Sequence, residues 1–286
     1  MALKMVMFNA DLSQVEARVE LMLAAATPEF VGTDVAKECV RLATAHPAEF
    51  DIHRWSAATV FACSEADVKD TDDEPMRYLG KRTMHGFMRG MGAHRLADLL
   101  LVDGHVVTPE TCEQRLGRLH ARIPAIQDGF FVDVRRQIMR YRALGTTWGG
   151  IWRCDYARLE EPLYGKGYSY QPVRETVDLI NQCGFLPLRN AIKLRRLVPV
   201  KDRPTPRLHV HGHDSLTGSA HPDDVWSVFA FIDRTLGGVT RNYAAGPLRC
   251  PVTYGVGATW KTTHEWKKLP TYKECRDAAW ACAEAA

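Results

Sequence analysis

The chain has 286 residues, 46% of them hydrophobic and 25% charged, the profile of a folded protein with a buried core rather than a disordered or fibrous one. No apolar run approaches the roughly 20 residues a membrane span needs, and the N-terminus lacks the charged-then-apolar pattern of a signal peptide, so no membrane partner is expected. The net charge of +3 is unevenly spread: residues 1–76 carry 6 basic against 14 acidic side chains, residues 77–142 carry 12 against 6, and residues 187–209 carry 7 against one. An acidic front followed by two arginine-rich blocks suits a site that gathers cations beside a polyanion, although ordinary solvated charge would read the same way. The eight cysteines form no C-x-x-C pair or disulfide framework, and they read as free thiols of a reducing cytoplasm.

Leu3 to Phe8 (LKMVMF) predicts a short buried strand ending at Asn9-Ala10-Asp11, after which Ser13 or Asp11 would cap a helix through Val15, Val19, Met22 and Leu23. Residues 35–62 and 74–100 read as helical, with an acidic turn between them. Thr108-Pro109-Glu110 starts another helix, and Pro124 opens one that ends near Gly145. The stretches 145–153 and 162–167 read as loops or short strands, 173–185 as helix and 199–206 as a turn. Leu208–His211 and Leu216–Gly218 flank a charged tip, the pattern of a β-hairpin. A helix over 222–236 and a strand over 251–256 follow. This order predicts an α+β protein with a helical insertion.

Three groups of residues carry chemistry. Asp11 and Asp214 each follow a predicted buried strand, and two carboxylates brought together would repel unless a cation such as magnesium lay between them. Taken singly, either reads as a cap or turn residue. Arg77, Lys81, His85 and Arg89 recur every fourth residue, which on a helix makes a drifting stripe of positive or protonatable groups able to grip a triphosphate; the plain alternative is a solvated face. His209, His211 and His213 alternate along a strand, an arrangement that would also suit zinc.

In order along the chain, these groups resemble the motifs of the family A DNA polymerases, the DNA polymerase I family. Asp11-Leu-Ser-Gln-Val-Glu-Ala-Arg18 is similar to motif A (D-Y-S-Q-I-E-L-R), and Asp51-Ile-His53 to the family's D-I-H. Arg77-(x3)-Lys81-(x4)-Gly86-(x3)-Gly90, continuing through Arg95, is similar to motif B. His213-Asp214-Ser215-Leu216 resembles motif C (H-D-E-L), and Pro251 to Trp260 the closing strand with its G-x-x-W. The likeness spans residues 3–260.

Here His85 stands for an aromatic residue, Arg89 for a tyrosine and Ser215 for a glutamate. The family's glutamine in P-V-Q is left unassigned: Pro172-Val173 is followed by Arg174, with Gln171 nearby.

The resemblance implies a polymerase palm with inserted fingers: 1–30 as first palm segment, 31–164 as fingers, 165–270 as second palm segment and 271–286 as tail. It implies template-directed transfer of dNTPs to a primer 3′-hydroxyl on primer-template DNA. Asp11, Asp214 and the Leu12 carbonyl would hold two magnesium ions. Gln14, Glu16, His53, Arg77, Lys81, His85 and Arg89 would bind the nucleotide, with Glu16 screening the sugar's 2′ position. Arg95 and His213 would contact DNA.

We expect Glu16 and Arg89 to pair within hydrogen-bond reach, roughly 2.7–3.2 Å. With one strand before motif A, a second polypeptide is expected to supply a thumb and N-terminal palm, docking on apolar sheet surface or an unpaired strand edge near Leu3–Phe8; a self-sufficient minimal enzyme is the alternative to that partner. A non-catalytic DNA-binding remnant or accessory subunit and a zinc hydrolase are the alternatives.

Overall fold

Strand β1 (Val6–Leu12) buries every second side chain, Val6, Phe8, Ala10 and Leu12, while Met7, Asn9 and Asp11 are partly exposed. That period of two is what a strand covered on one face requires. The computed structural model describes residues 4–46, 49–197, 203–261 and 263–285; Leu3 and much of the turn expected over 199–206 lie outside these.

The chain folds as two compact units. The first, residues 1–15, 176–241 and 249–286, holds a five-stranded antiparallel sheet in the order β4-β5-β1-β8-β9. Here β4 is Arg207–His211, β5 Ser215–Ala220, β8 Val252–Gly257 and β9 His264–Trp266. β1 is its central strand. It pairs with β5 from Val6↔Ala220 to Asp11↔Ser215, and with β8 from Met7↔Gly257 to Leu12↔Val252. Within the expected span, Met7 and Phe8 therefore offer no open edge, because β1 is hydrogen-bonded on both sides there. Helices α10 (Val225–Ile232) and α11 (Tyr272–Ala285) pack on β1, where Phe229 meets Phe8 edge-on, with ring centroids 6.3 Å apart.

The second unit, residues 16–175 and 242–248, is mainly helical. It contains most of α1 (Val15–Ala25), then α2 (Asp34–Thr44), α3 (Ile52–Phe61), α4 (Met76–Met88), α5 (Ala93–Val102), α6 (Pro109–Arg122) and α7 (Val132–Tyr141). A small ribbon of β2 (Ala143–Gly145) and β3 (Ile151–Arg153) follows, and then the body of α8 (Glu161–Leu179). The sheet unit also holds α9 (Leu186–Lys193), and β6 (Thr240–Tyr243) and β7 (Gly246–Arg249) form a further two-stranded ribbon.

Three expectations change. Residues 35–62 and 74–100, each read as a helical stretch, are both divided into two helices, α2 with α3 and α4 with α5. The segment 162–167, read as loop, is the first part of α8. The C-terminal tail is a packed helix that buries Cys275, Ala279 and Cys282. The division into units falls after Val15 at the start of α1 and inside α8 at 175/176.

Candidate active site

In the sheet unit, β1 ends where two neighbouring segments clasp it. The Leu12 amide donates to the Asp214 carbonyl at 2.8 Å, and the Ser13 amide donates to the Pro251 carbonyl at 2.9 Å. Ser13 Oγ and Thr253 Oγ1 lie 2.6 Å apart. Asp11 stands opposite Ser215 in the β1–β5 register. The backbones of Asp11 and Asp214, distant in sequence, thus run close together at one end of adjacent strands. Asp214 ends the Gly212-His213-Asp214 turn, its side chain one-third exposed, and Nε2 of the exposed His213 lies 3.6 Å from its Oδ2. Gln14 follows in the left-handed region at φ 57, turning the chain sharply into α1.

The donor types that the backbone brings to this strand end are hard oxygens, the Asp11 and Asp214 carboxylates and the Leu12 carbonyl. That set fits a hard divalent cation, which completes its shell with water or phosphate. His209 Nε2 is 2.8 Å from Ser219 Oγ, and His211 packs on Phe185 with centroids 5.2 Å apart. Among the described residues no three His, Cys, Asp or Glu side chains gather as a metal site.

In the helical unit, the expected pair forms: Arg89 Nη2 donates to Glu16 Oε2 at 2.9 Å. Glu16 sits in the first turn of α1 and Arg89 caps α4 at its C-terminus. One turn into α1, the buried Arg18 guanidinium donates to the carbonyls of Ala43 and Ala45, at 2.6 Å each. This arginine of the first motif therefore fixes α1 to the end of α2.

Asp51 caps α3, its Oδ1 accepting from the His53 amide at 2.9 Å and the Arg54 amide at 3.3 Å. Its Oδ2 takes Arg77 Nε at 2.7 Å. Burial opposes ionisation of Asp51, but the Arg77 hydrogen bond and charge outweigh it and hold the carboxyl below its usual range.

His53 and His85 face each other with ring centroids 5.6 Å apart. Burial, together with the neighbouring charges, depresses His53 to about 3 and His85 to about 4, so both are neutral at neutral pH. The four-residue stripe is accordingly not a row of cations. Arg77 is bound to Asp51, His85 is neutral, Arg89 is bound to Glu16, and Lys81 is the exposed ammonium among them. Arg95 lies exposed near the start of α5.

Two residues of this unit escaped sequence reasoning. Asp51 was noted as part of a motif but not as the hub joining a helix cap to Arg77; its place before Ile52-His53 was the available signal. Glu20 is buried in α1 one turn beyond Glu16. A second acid at i+4 in a helix whose other residues, Arg18 apart, are apolar is its signal.

No family model matches this chain, and no curated protein does. Among solved structures it resembles the POL domain of Pol1 from M. smegmatis in complex with DNA primer-template and dNTP, with a TM-score of 0.67 at 18% identity. The likeness covers 91% of this chain and 41% of that one. The fold is that of a polymerase domain, in the α+β class expected.

Proposed function

We propose that the chain is the palm-and-fingers portion of a family A DNA polymerase, adding dNTPs to a primer 3′-hydroxyl on a DNA template. One observation carries this reading. The Leu12 amide donates to the Asp214 carbonyl and Asp11 stands opposite Ser215, so the backbones of the two aspartates of the motif pattern run close together at the end of the central strands, which supports this reading. The fold likeness supports it, since the neighbour was captured with primer-template and dNTP.

In this reading Asp11, Asp214 and the Leu12 carbonyl would hold two magnesium ions. Magnesium would supply charge neutralisation and a lowered hydroxyl pKa. Arg77, oriented by Asp51, and the exposed Lys81 take the triphosphate, favouring the charge that develops on it. His53 contributes a neutral hydrogen-bonding ring rather than a cation. His85 packs near the incoming base, Gln14 contacts the nucleotide, and Arg95 and His213 contact DNA. Glu16, fixed by Arg89, crowds the 2′ position of the sugar. A second polypeptide that completes the grip on the duplex belongs to the same proposal.

Primer extension tests it. Asp11→Ala and Asp214→Ala should each abolish incorporation while leaving DNA binding nearly intact, since affinity rests mainly on phosphate contacts elsewhere. Equal activity in the parent and both variants would overturn the reading. Glu16→Ala should admit ribonucleotides; an unchanged preference for deoxyribonucleotides in that variant would remove Glu16 from the role.

A further inference from the structure

Helix α1 is buried nearly all round, yet it carries Glu20 at 4% exposure. The Oε1 atom of Glu20 is shut off from solvent and has no hydrogen-bond partner. Glu20 lies one turn beyond Glu16, and residues four apart share a helix face. Glu16 in turn holds Arg89 at 2.9 Å. The charges acting on Glu20 are those of Arg89, from the end of α4, and of Glu16, from its own helix.

An ionised carboxylate with an unsatisfied oxygen in such a place is costly, and a buried acid normally neutralises instead. Two carboxylates at i and i+4 would also compete for one guanidinium. A neutral Glu20 avoids both costs.

We propose that Glu20 is a positioning residue for the Glu16–Arg89 pair, acting as a neutral acid that leaves Arg89 to Glu16 alone. Burial drives its pKa well upward, against the pull of Arg89 and with the push of Glu16. If Glu20 loses its proton, Arg89 faces two carboxylates and its hold on Glu16 weakens. Where Glu16 selects the sugar, which rests on the function proposed above, that selection becomes pH-sensitive.

The folded state then keeps a proton that the unfolded chain releases near its ordinary glutamate pKa, about 4.3. The stability contributed by this group is complete below that value and is lost as pH rises toward the folded pKa. Relative to Glu20→Gln, the wild-type folding constant should fall by up to about tenfold per pH unit over this window. Glu20→Leu, neutral and of similar volume, provides a second comparison.

The position of Arg89 is read separately, by a double-mutant cycle of Glu16→Gln and Arg89→Met followed by urea unfolding. In the wild-type background the Glu16–Arg89 coupling should weaken as pH rises; in Glu20→Gln it should stay flat and match wild type near neutrality. A coupling that strengthens several-fold in Glu20→Gln at neutral pH would mean that Glu20 is ionised and already shares Arg89. Identical pH slopes in wild type and variant would equally overturn the proposal. The deoxyribonucleotide-to-ribonucleotide ratio over the same pH range is the third readout. Absence of any incorporation refutes the polymerase reading while the cycle still reports on Glu20; normal incorporation with a pH-independent cycle refutes Glu20 alone.

Discussion

His53 and His85 show how burial sets what a site residue can do. Each would ionise near about 6.5 in an unfolded chain, but they stand at about 3 and about 4 in the fold. Below the unfolded pKa, the unfolded state binds protons that the folded state refuses. The stability tied to the two rings is therefore full above that pH and is lost as pH falls toward 4. The loss reaches roughly 2.7 kcal/mol per pH unit when both are involved. His85→Phe, which keeps an aromatic ring, should halve that slope in urea unfolding; an unchanged slope would show that His85 is not one of the two groups. A site built on these neutral rings should also bind nucleotide without a step near pH 6.5, unlike one that relied on a histidine cation.

At the scale of elements, two glycines give opposite expectations. A Cβ on Gly80 in α4 would lie 2.5 Å from the Ala57 Cα in α3, so this glycine lets the helices bearing His85 and His53 approach. Gly117 in α6 has nothing within 4 Å of its missing Cβ. Gly80→Ala should cost about 1–3 kcal/mol by overpacking and weaken nucleotide binding with it. Gly117→Ala should instead stabilise by up to about 1 kcal/mol through helix propensity alone. Thermal unfolding of the pair checks both signs.

The same kind of packing explains what was legible in the sequence. The β4–β5 hairpin, the Thr108 cap and the closing strand could be read because local periodicity and turn chemistry decided them. The start of α8 could not. Gly165 and Gly167 read as loop, yet a Cβ on Gly167 would come within 2.8 Å of Ile138 and Val134, a tertiary requirement that no local pattern reveals. The Glu16–Arg89 pair was foreseeable from the motifs. The Asp51–Arg77 contact, formed across 26 residues, was not.

Over the whole molecule, the two units differ in how their chain is drawn. The helical unit is nearly one continuous stretch, 16–175, with a few residues from 242–248. The sheet unit takes its central strand from the N-terminus and both neighbours from beyond residue 214. The apolar run marks a buried strand, but nothing local says how many neighbours a strand has or where in the chain they lie. The proposed second polypeptide would thus have to meet the sheet at β4 or β9, its outer strands among the described residues.

Contacts so distant in sequence form late, because the loop must close before pairing rewards it. Without β1, β5 and β8 would each expose an unpaired edge, leaving two hairpins that are marginal by themselves. Residues 16–175 produced alone should therefore give a helical, cooperatively unfolding species. Residues 176–286 should not fold cooperatively until a segment carrying Val6–Leu12 is supplied. Circular dichroism with urea titration of the two fragments makes the comparison, and a cooperative transition in 176–286 alone would show that β1 is not the strand on which the sheet depends.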